Sequence, residues 1–355
     1  MEVVSICVGR HPLEIVFDVQ VFRMSGYQGI TRNETLDFVK GVLVIVMVIY
    51  HSMNVFALVG PDAYGCIRFV SGSFIFISGY IIATFNTAKF QANRAHISQR
   101  LIVRGVKLFI VFTALNIVIN LTGAGNPNKM QLGVQQYLSN LGAIYGPGDT
   151  RFASFQILLP ISYLLIISPV ILLLGDANRL LILVCAIAVL SAKILNVGSV
   201  NIELLTLGVI GLFAGMIARG AKRAFVIKSR LILAISPLVF LPLMAYMSRN
   251  DITYTIAVMI VLKLFYDLGA NVNLGNPIAK AVILLGQYSL VCYISQIIFL
   301  QGLSRLLARQ KWELGYEMLV IIMMTTVFLW ALGTLATVMR QRYILIEKSY
   351  KFIFS

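Results

Sequence analysis

The run KGVLVIVMVIYHSMN, residues 40–54, is apolar apart from Lys40 at its mouth and His51, Ser52 and Asn54 near its far end. A neutral imidazole near pH 7 can take a proton from a hydroxyl and hand it to a leaving group. With residues stepping about 100° round a helix, Asp37, Lys40, Val44, Met47, His51 and Asn54 fall close to one stripe. Lys40 and His51 are eleven residues apart, about 16 Å along the axis at the helical rise. Ionisable groups inside an apolar helix are costly and face a bundle interior or a wet cavity. Two readings of His51 follow: a general base, or a neutral core histidine hydrogen-bonded to a neighbouring helix.

A second candidate is QRLIVRGVKLF, residues 99–109. Arg100, Arg104 and Lys107 stand at i, i+4 and i+7, one helical face. The plain reading is membrane anchoring with snorkelling side chains. The chemical reading is a phosphate site.

These residues need apolar helices to position them. The chain has 355 residues, 59% hydrophobic and 12% charged, against about 25% charged in soluble domains. That composition predicts an all-α, polytopic transmembrane bundle. Ten spans are expected, near 38–58, 69–87, 101–121, 154–174, 179–197, 200–218, 229–248, 252–270, 282–304 and 315–339. With the N-terminus inside, 21 of the 29 Lys and Arg fall on the cytoplasmic side, so both termini are expected inside. The net charge of +15 is explained by this asymmetry, and no nucleic acid partner is expected.

Residues 1–31 lack the basic start and apolar core of a signal peptide. They read as an interfacial segment or as sequence upstream of a start at Met24. Residues 32–340 form the transmembrane domain and 341–355 a basic cytoplasmic tail. The segment 122–153, rich in Gly, Asn and Pro, is either a connector or a functional loop suited to a sugar. Four scattered cysteines and three histidines predict no disulfide framework and no metal site. Lys263 and Asp267 read as a satisfied ion pair, and Glu203 as a residue facing outside.

The stretch ETLDFVKGVLVIVMVIYHSMN resembles the opening of the acyltransferase-3 family of bacterial membrane acyltransferases, with Leu36, Asp37, Lys40 and His51 at the family's positions. The family usually has arginine where Lys40 stands. FVSGSFIFISGYIIATF, residues 69–85, resembles its second span, with Ser78 and Gly79. LLGQYSLVCYISQIIF, residues 284–299, resembles a late span through Gly286, Ser289, Leu290 and Tyr293. Gln296 stands where that span often has a histidine.

The resemblance implies an O-acyltransferase of the bacterial inner membrane. Its donor would be acyl-coenzyme A, most often acetyl-CoA, as co-substrate without a metal. Its acceptor would be a hydroxyl of a surface or exported glycan, or of a lipid-linked precursor. It implies His51 as base or relay, with Asp37 and Lys40 orienting the helix mouth. Arg100 and Arg104, with Lys107 on their stripe, would hold donor phosphates. Asn54, Ser78, Tyr288, Ser289, Tyr293 and Gln296 are the candidate substrate contacts. Membrane lipids, the glycan acceptor, a second copy of the chain and the glycan-synthesis machinery are the partners to consider. The alternative is a transporter for a glycan or lipid-linked sugar that uses the same polar stripe without acyl transfer.

Overall fold

A chain with so few charges must satisfy its backbone hydrogen bonds internally, and in lipid a helix does so within one segment. The computed structural model describes residues 33–56, 67–122, 134–149, 153–177, 199–220, 251–307 and 315–354. Among the described residues there is no strand. The helices are α1 (Glu34–Phe56), α2 (Phe69–Ala92), α3 (Arg94–Thr122), α4 (Val134–Ser139), α5 (Leu141–Tyr145) and α6 (Leu158–Ala177). They continue with α7 (Val200–Gly220), α8 (Asp251–Asn271), α9 (Pro277–Gln287), α10 (Ser289–Leu306), α11 (Tyr316–Arg342) and α12 (Ile344–Phe354).

Six of these helices, α1, α3, α7, α8, α10 and α11, are long and apolar enough to cross a membrane. Shorter apolar helices lie at Phe69–Phe85, Leu158–Leu174 and Pro277–Gln287. Eight of the ten expected spans thus coincide with described helices, α9 and α10 sharing one. The expected spans near 179–197 and 229–248, and residues 1–31, lie outside the described residues. On the outside of α3 and α11, Ile110, Val118, Leu121, Leu319, Met323 and Val327 are exposed, the face such helices give to lipid. The chain is an integral membrane protein of all-α class.

Small residues set the helix crossings. A Cβ on Gly41 would lie 1.9 Å from the Val282 carbonyl oxygen, and one on Gly286 would lie 1.8 Å from that of Asp37. So α1 and α9 touch backbone to backbone, as small residues allow in membrane bundles. The pair α2 and α7 does the same through Gly79, which abuts the Gly208 carbonyl, and Gly211, which abuts that of Phe76. Between α3 and α6, the Ser162 hydroxyl donates to the Gly105 carbonyl at 2.9 Å.

The span holding α9 and α10 starts with Pro277 after an Asn276 cap whose side chain accepts from the Ile278 N–H. It breaks at Tyr288, which ends α9 and precedes α10. Its contacts advance in step with those of α1. Gly41 meets Val282, the His51 ring faces Tyr293, and Phe56 clusters with Leu300. The two therefore run parallel.

Candidate functional site

The C-terminal end of α1 opens onto a cavity of about 50 Å³. His51, Asn54 and Val55 of α1 line it, with Ile297, Leu300 and Gln301 of α10 opposite and Ser154 and Phe155 closing it. His51 is half-buried. Its ring sits edge-on to Tyr50, with centroids 5.3 Å apart, and lies 6.1 Å from the ring of Tyr293. A cavity of this size holds a few waters or one small group, since a single water needs roughly 10–15 Å³ of such volume.

The Ser154–Phe155 wall is held by α3. Asn116 is buried, and its Nδ2 donates to the Phe112 carbonyl at 2.9 Å and to the Ser154 carbonyl at 3.1 Å. Its Oδ1 accepts from the Ser154 N–H at 2.7 Å. Phe155, next in the chain, is in the left-handed region with φ 55. A bulky residue there costs of order 1–3 kcal/mol and persists where surrounding contacts over-determine it. Its ring meets Tyr293 edge-on at 6.1 Å.

Nearby, the α3 face organises part of the segment expected as connector or sugar loop. Residues 134–149 form α4 and α5, and Tyr137 is fully buried there. The Tyr145 hydroxyl is 2.6 Å from that of Thr113, and Asn201 of α7 donates to the Ile144 carbonyl at 3.2 Å and the Gly146 carbonyl at 3.1 Å. Burial, with help from the Tyr145 hydroxyl, raises the Tyr137 phenol pKa, so it stays protonated. This stretch is folded against the bundle rather than being a plain connector.

At the same end Arg68 meets Glu203 at 3.4 Å, and its guanidinium lies 5.5 Å from the Tyr254 ring. The Tyr254 hydroxyl donates to the Arg68 carbonyl at 3.1 Å. Arg68 is about half exposed, so the ion pair contributes roughly 0–1 kcal/mol. Glu203 is thus a paired residue at the end of the bundle where His51 sits.

The other end of α1 packs tightly on α9. Lys40 Nζ meets Asp37 Oδ1 at 2.6 Å, the Asp37 side chain is 5% exposed, and Gly286 presses on the Asp37 carbonyl. The two do not approach His51, from which Lys40 is separated by about 16 Å of helix rise. Lys263 and Asp267 form the expected pair within α8, at 2.5 Å.

Arg100 is exposed and Arg104 and Lys107 are half-buried in the first turns of α3. Arg100 and Arg104 are close enough to repel electrostatically, and among the described residues no ion pair joins either to a carboxylate. The ends of the bundle can be matched. Asn116 of α3 reaches the wall of the cavity that His51 lines, so the C-terminal ends of α1 and α3 share one side. Arg100, Arg104, Asp37 and Lys40 share the other. From Arg104 to Asn116, twelve residues on, is about 18 Å.

The other candidates divide. Tyr293 touches both His51 and Phe155. Gln296 is fully buried, and neither amide atom has a hydrogen-bond partner among the described residues. The Ser78 hydroxyl donates to the Phe74 carbonyl of its own helix at 2.7 Å. The Tyr288 hydroxyl accepts from Thr337 at 3.1 Å and Arg340 at 3.2 Å, and its ring meets Tyr350 of α12. Tyr288 therefore belongs to a cluster with α11 and α12, and Ser289 opens α10 beside it. Tyr50, Asn116, Ser154, Phe155 and Gln301 escape sequence reasoning. Asn116, a polar side chain in the span IVFTALNIVIN, carries the same signal as His51. Phe155 carries none, because nothing in its type announces a positive φ.

Comparison with known proteins adds one finding. The family model of the acyltransferase-3 acyltransferase domain matches residues 33–338. No curated protein and no solved structure matches the chain.

Proposed function

The chain belongs to the acyltransferase-3 family, and on that premise we propose that it moves an acyl group from an acyl-coenzyme A to a hydroxyl of a glycan or lipid-linked sugar. Its home is then the bacterial inner membrane, with about ten spans and both termini in the cytoplasm. The observation that carries this reading is the His51 cavity: His51, Asn54 and Ser154 line one small space, at the end of the bundle opposite Arg100 and Arg104.

In this reading the thioester carbonyl and the acceptor hydroxyl meet beside His51. The imidazole takes the hydroxyl proton as the oxygen attacks the carbonyl carbon. The new C–O ester bond forms, the C–S bond breaks, and the imidazolium returns the proton to the departing thiolate. Tyr293 buttresses the ring from α10, while Asn54 and Ser154 offer hydrogen bonds to the acceptor. Gln296 supplies a buried amide whose capacity is unspent in the protein alone, and such a group is expensive to leave unmet. Arg100 and Arg104, with Lys107 on the same stripe, hold donor phosphates as charge-assisted contacts. The separation of about 18 Å between Arg104 and Asn116 along α3 demands a donor with a long arm between phosphate and thioester, and coenzyme A has that form. Asp37 and Lys40 pair with each other within α1 and set the helix mouth.

The test is mass spectrometry of surface glycans from cells with and without the protein. The reading expects O-acyl esters, acetyl foremost, to disappear in its absence and to return with the parental chain. Unchanged acylation contradicts it.

A further inference from the structure

We propose that Asn116 is a positioning residue for acyl transfer, holding the Ser154–Phe155 segment as the wall that sets the His51 ring. The proposal rests on the acyltransferase reading and adds to it a residue in α3, a helix that otherwise supplies only the donor cations.

The geometry leaves Asn116 little else to do. Its side chain is 1% exposed and does not itself line the cavity. It spends both ends of its amide on that one residue, donating to the Ser154 carbonyl and accepting from the Ser154 N–H. This double bond to a backbone, with the extra bond to the Phe112 carbonyl, fixes which way the amide points. Ser154 and Phe155 precede α6 and stand outside any helical ladder. The Ser154 N–H and carbonyl are paired by the Asn116 side chain rather than by a helical neighbour.

The segment so held is strained. Phe155 has φ 55, a conformation that suits glycine and burdens a phenylalanine. It is fixed from both sides, by Asn116 on Ser154 and by the Leu158 N–H, which donates to the Phe155 carbonyl at 3.0 Å. What the strain secures is a place for the ring. Phe155 meets Tyr293 edge-on at 6.1 Å, and Tyr293 stands 6.1 Å from His51. A shift at Ser154 therefore reaches the imidazole through two ring contacts, and it also moves a residue that lines the cavity. Misplacing reacting groups by about 1 Å can cost on the order of a hundredfold in rate.

The experiment measures kcat and the KM for each substrate on full-length, detergent-extracted protein, normalised to folded protein. The variants are Asn116→Ala, Asn116→Asp and Phe155→Gly. Asn116→Ala should lower kcat roughly ten- to a hundredfold and leave the acyl-coenzyme A KM unchanged. Asn116→Asp, which still accepts the Ser154 N–H, should recover part of the loss. Phe155→Gly takes the same φ without strain but lacks the ring, so it should lose kcat as Asn116→Ala does. A purely structural Asn116 would lower the yield of folded protein and leave kcat per folded molecule at the parental value, and that result overturns the proposal. If Asn116→Ala does not fold, Asn116→Asp and Phe155→Gly decide: parental kcat in both refutes it, and loss in both sustains it. A parental protein that transfers no acyl group from a thioester refutes the acyltransferase reading itself and takes the proposal with it.

Discussion

The two ends of α1 use their polar residues in opposite ways. At the Asp37 end the charges meet each other at 2.6 Å, and the backbones of α1 and α9 touch through Gly41 and Gly286. At the His51 end the neighbouring helices stand apart around a cavity, and the wall facing it is held by a strained, tethered segment. One stripe of the sequence thus runs from a fastening to a work site. Polar residues in a membrane helix are costly at either place, and what separates the two is whether they line a cavity or pack against a neighbouring backbone.

The largest effect expected at the fastened end comes from Gly286→Ala. The added Cβ would lie 1.8 Å from a backbone oxygen, which no rotamer change can relieve. Overpacking of this kind costs about 1–3 kcal/mol, and the backbone contact puts this case near the top of that range. Thermal denaturation of the extracted protein should show a clear fall in Tm, with turnover per folded molecule largely kept. A variant as stable as the parent would mean that α1 and α9 do not cross there.

Next comes the donor side, at the same end of the bundle. Arg104→Ala should weaken acyl-coenzyme A binding by about ten- to over a hundredfold, the equivalent of one charged contact of roughly 1.5–3 kcal/mol. Arg104→Lys should recover only part, because the planar fork is lost. Binding is read by calorimetry, and parental affinity in Arg104→Ala would reduce the stripe to a membrane anchor.

The smallest effect is expected from Asp37→Asn. It preserves volume but removes the charge opposite Lys40, which is 18% exposed and can turn toward water. A stability loss of about 1 kcal/mol with unchanged kcat fits a fastening. A collapse of kcat at normal stability would mean that both ends of α1 take part in the chemistry, and the contrast between them would fall.

Much of this contrast is legible in the amino-acid sequence alone. Apolar run lengths place eight stretches that coincide with described helices, six of which are long and apolar enough to cross a membrane, because such a run is long enough to outweigh errors at its ends. The stripe from Asp37 to Asn54 singles out His51 because an imidazole inside such a run needs a reason. The split within that stripe is not legible. That Asp37 consumes Lys40, and that Gly286 seals them, depends on which helix packs against α1, and a single sequence does not say. Tyr288 and Ser78 look equal to Tyr293 as candidates, yet Tyr288 is committed to Arg340 and Thr337, Ser78 to its own helix, and of the three Tyr293 is the one that meets His51. The wall of the cavity comes from Ser154 and Phe155, expected at the start of the span near 154–174, but the helix begins only at Leu158, and the contact of Ser154 with Asn116 of α3 is a tertiary fact.

The central claim is that His51 moves a proton during acyl transfer, and His51→Gln tests it most directly. Glutamine keeps a hydrogen bond but cannot accept a proton at neutral pH. The assay is transfer of labelled acyl groups from acyl-coenzyme A to a glycan acceptor, per unit of folded, membrane-extracted protein. A loss of about 10²–10⁴-fold with normal folding is the predicted result. Near-parental transfer by His51→Gln would contradict it, and so would a parental chain that moves the sugar across a membrane without acylating it.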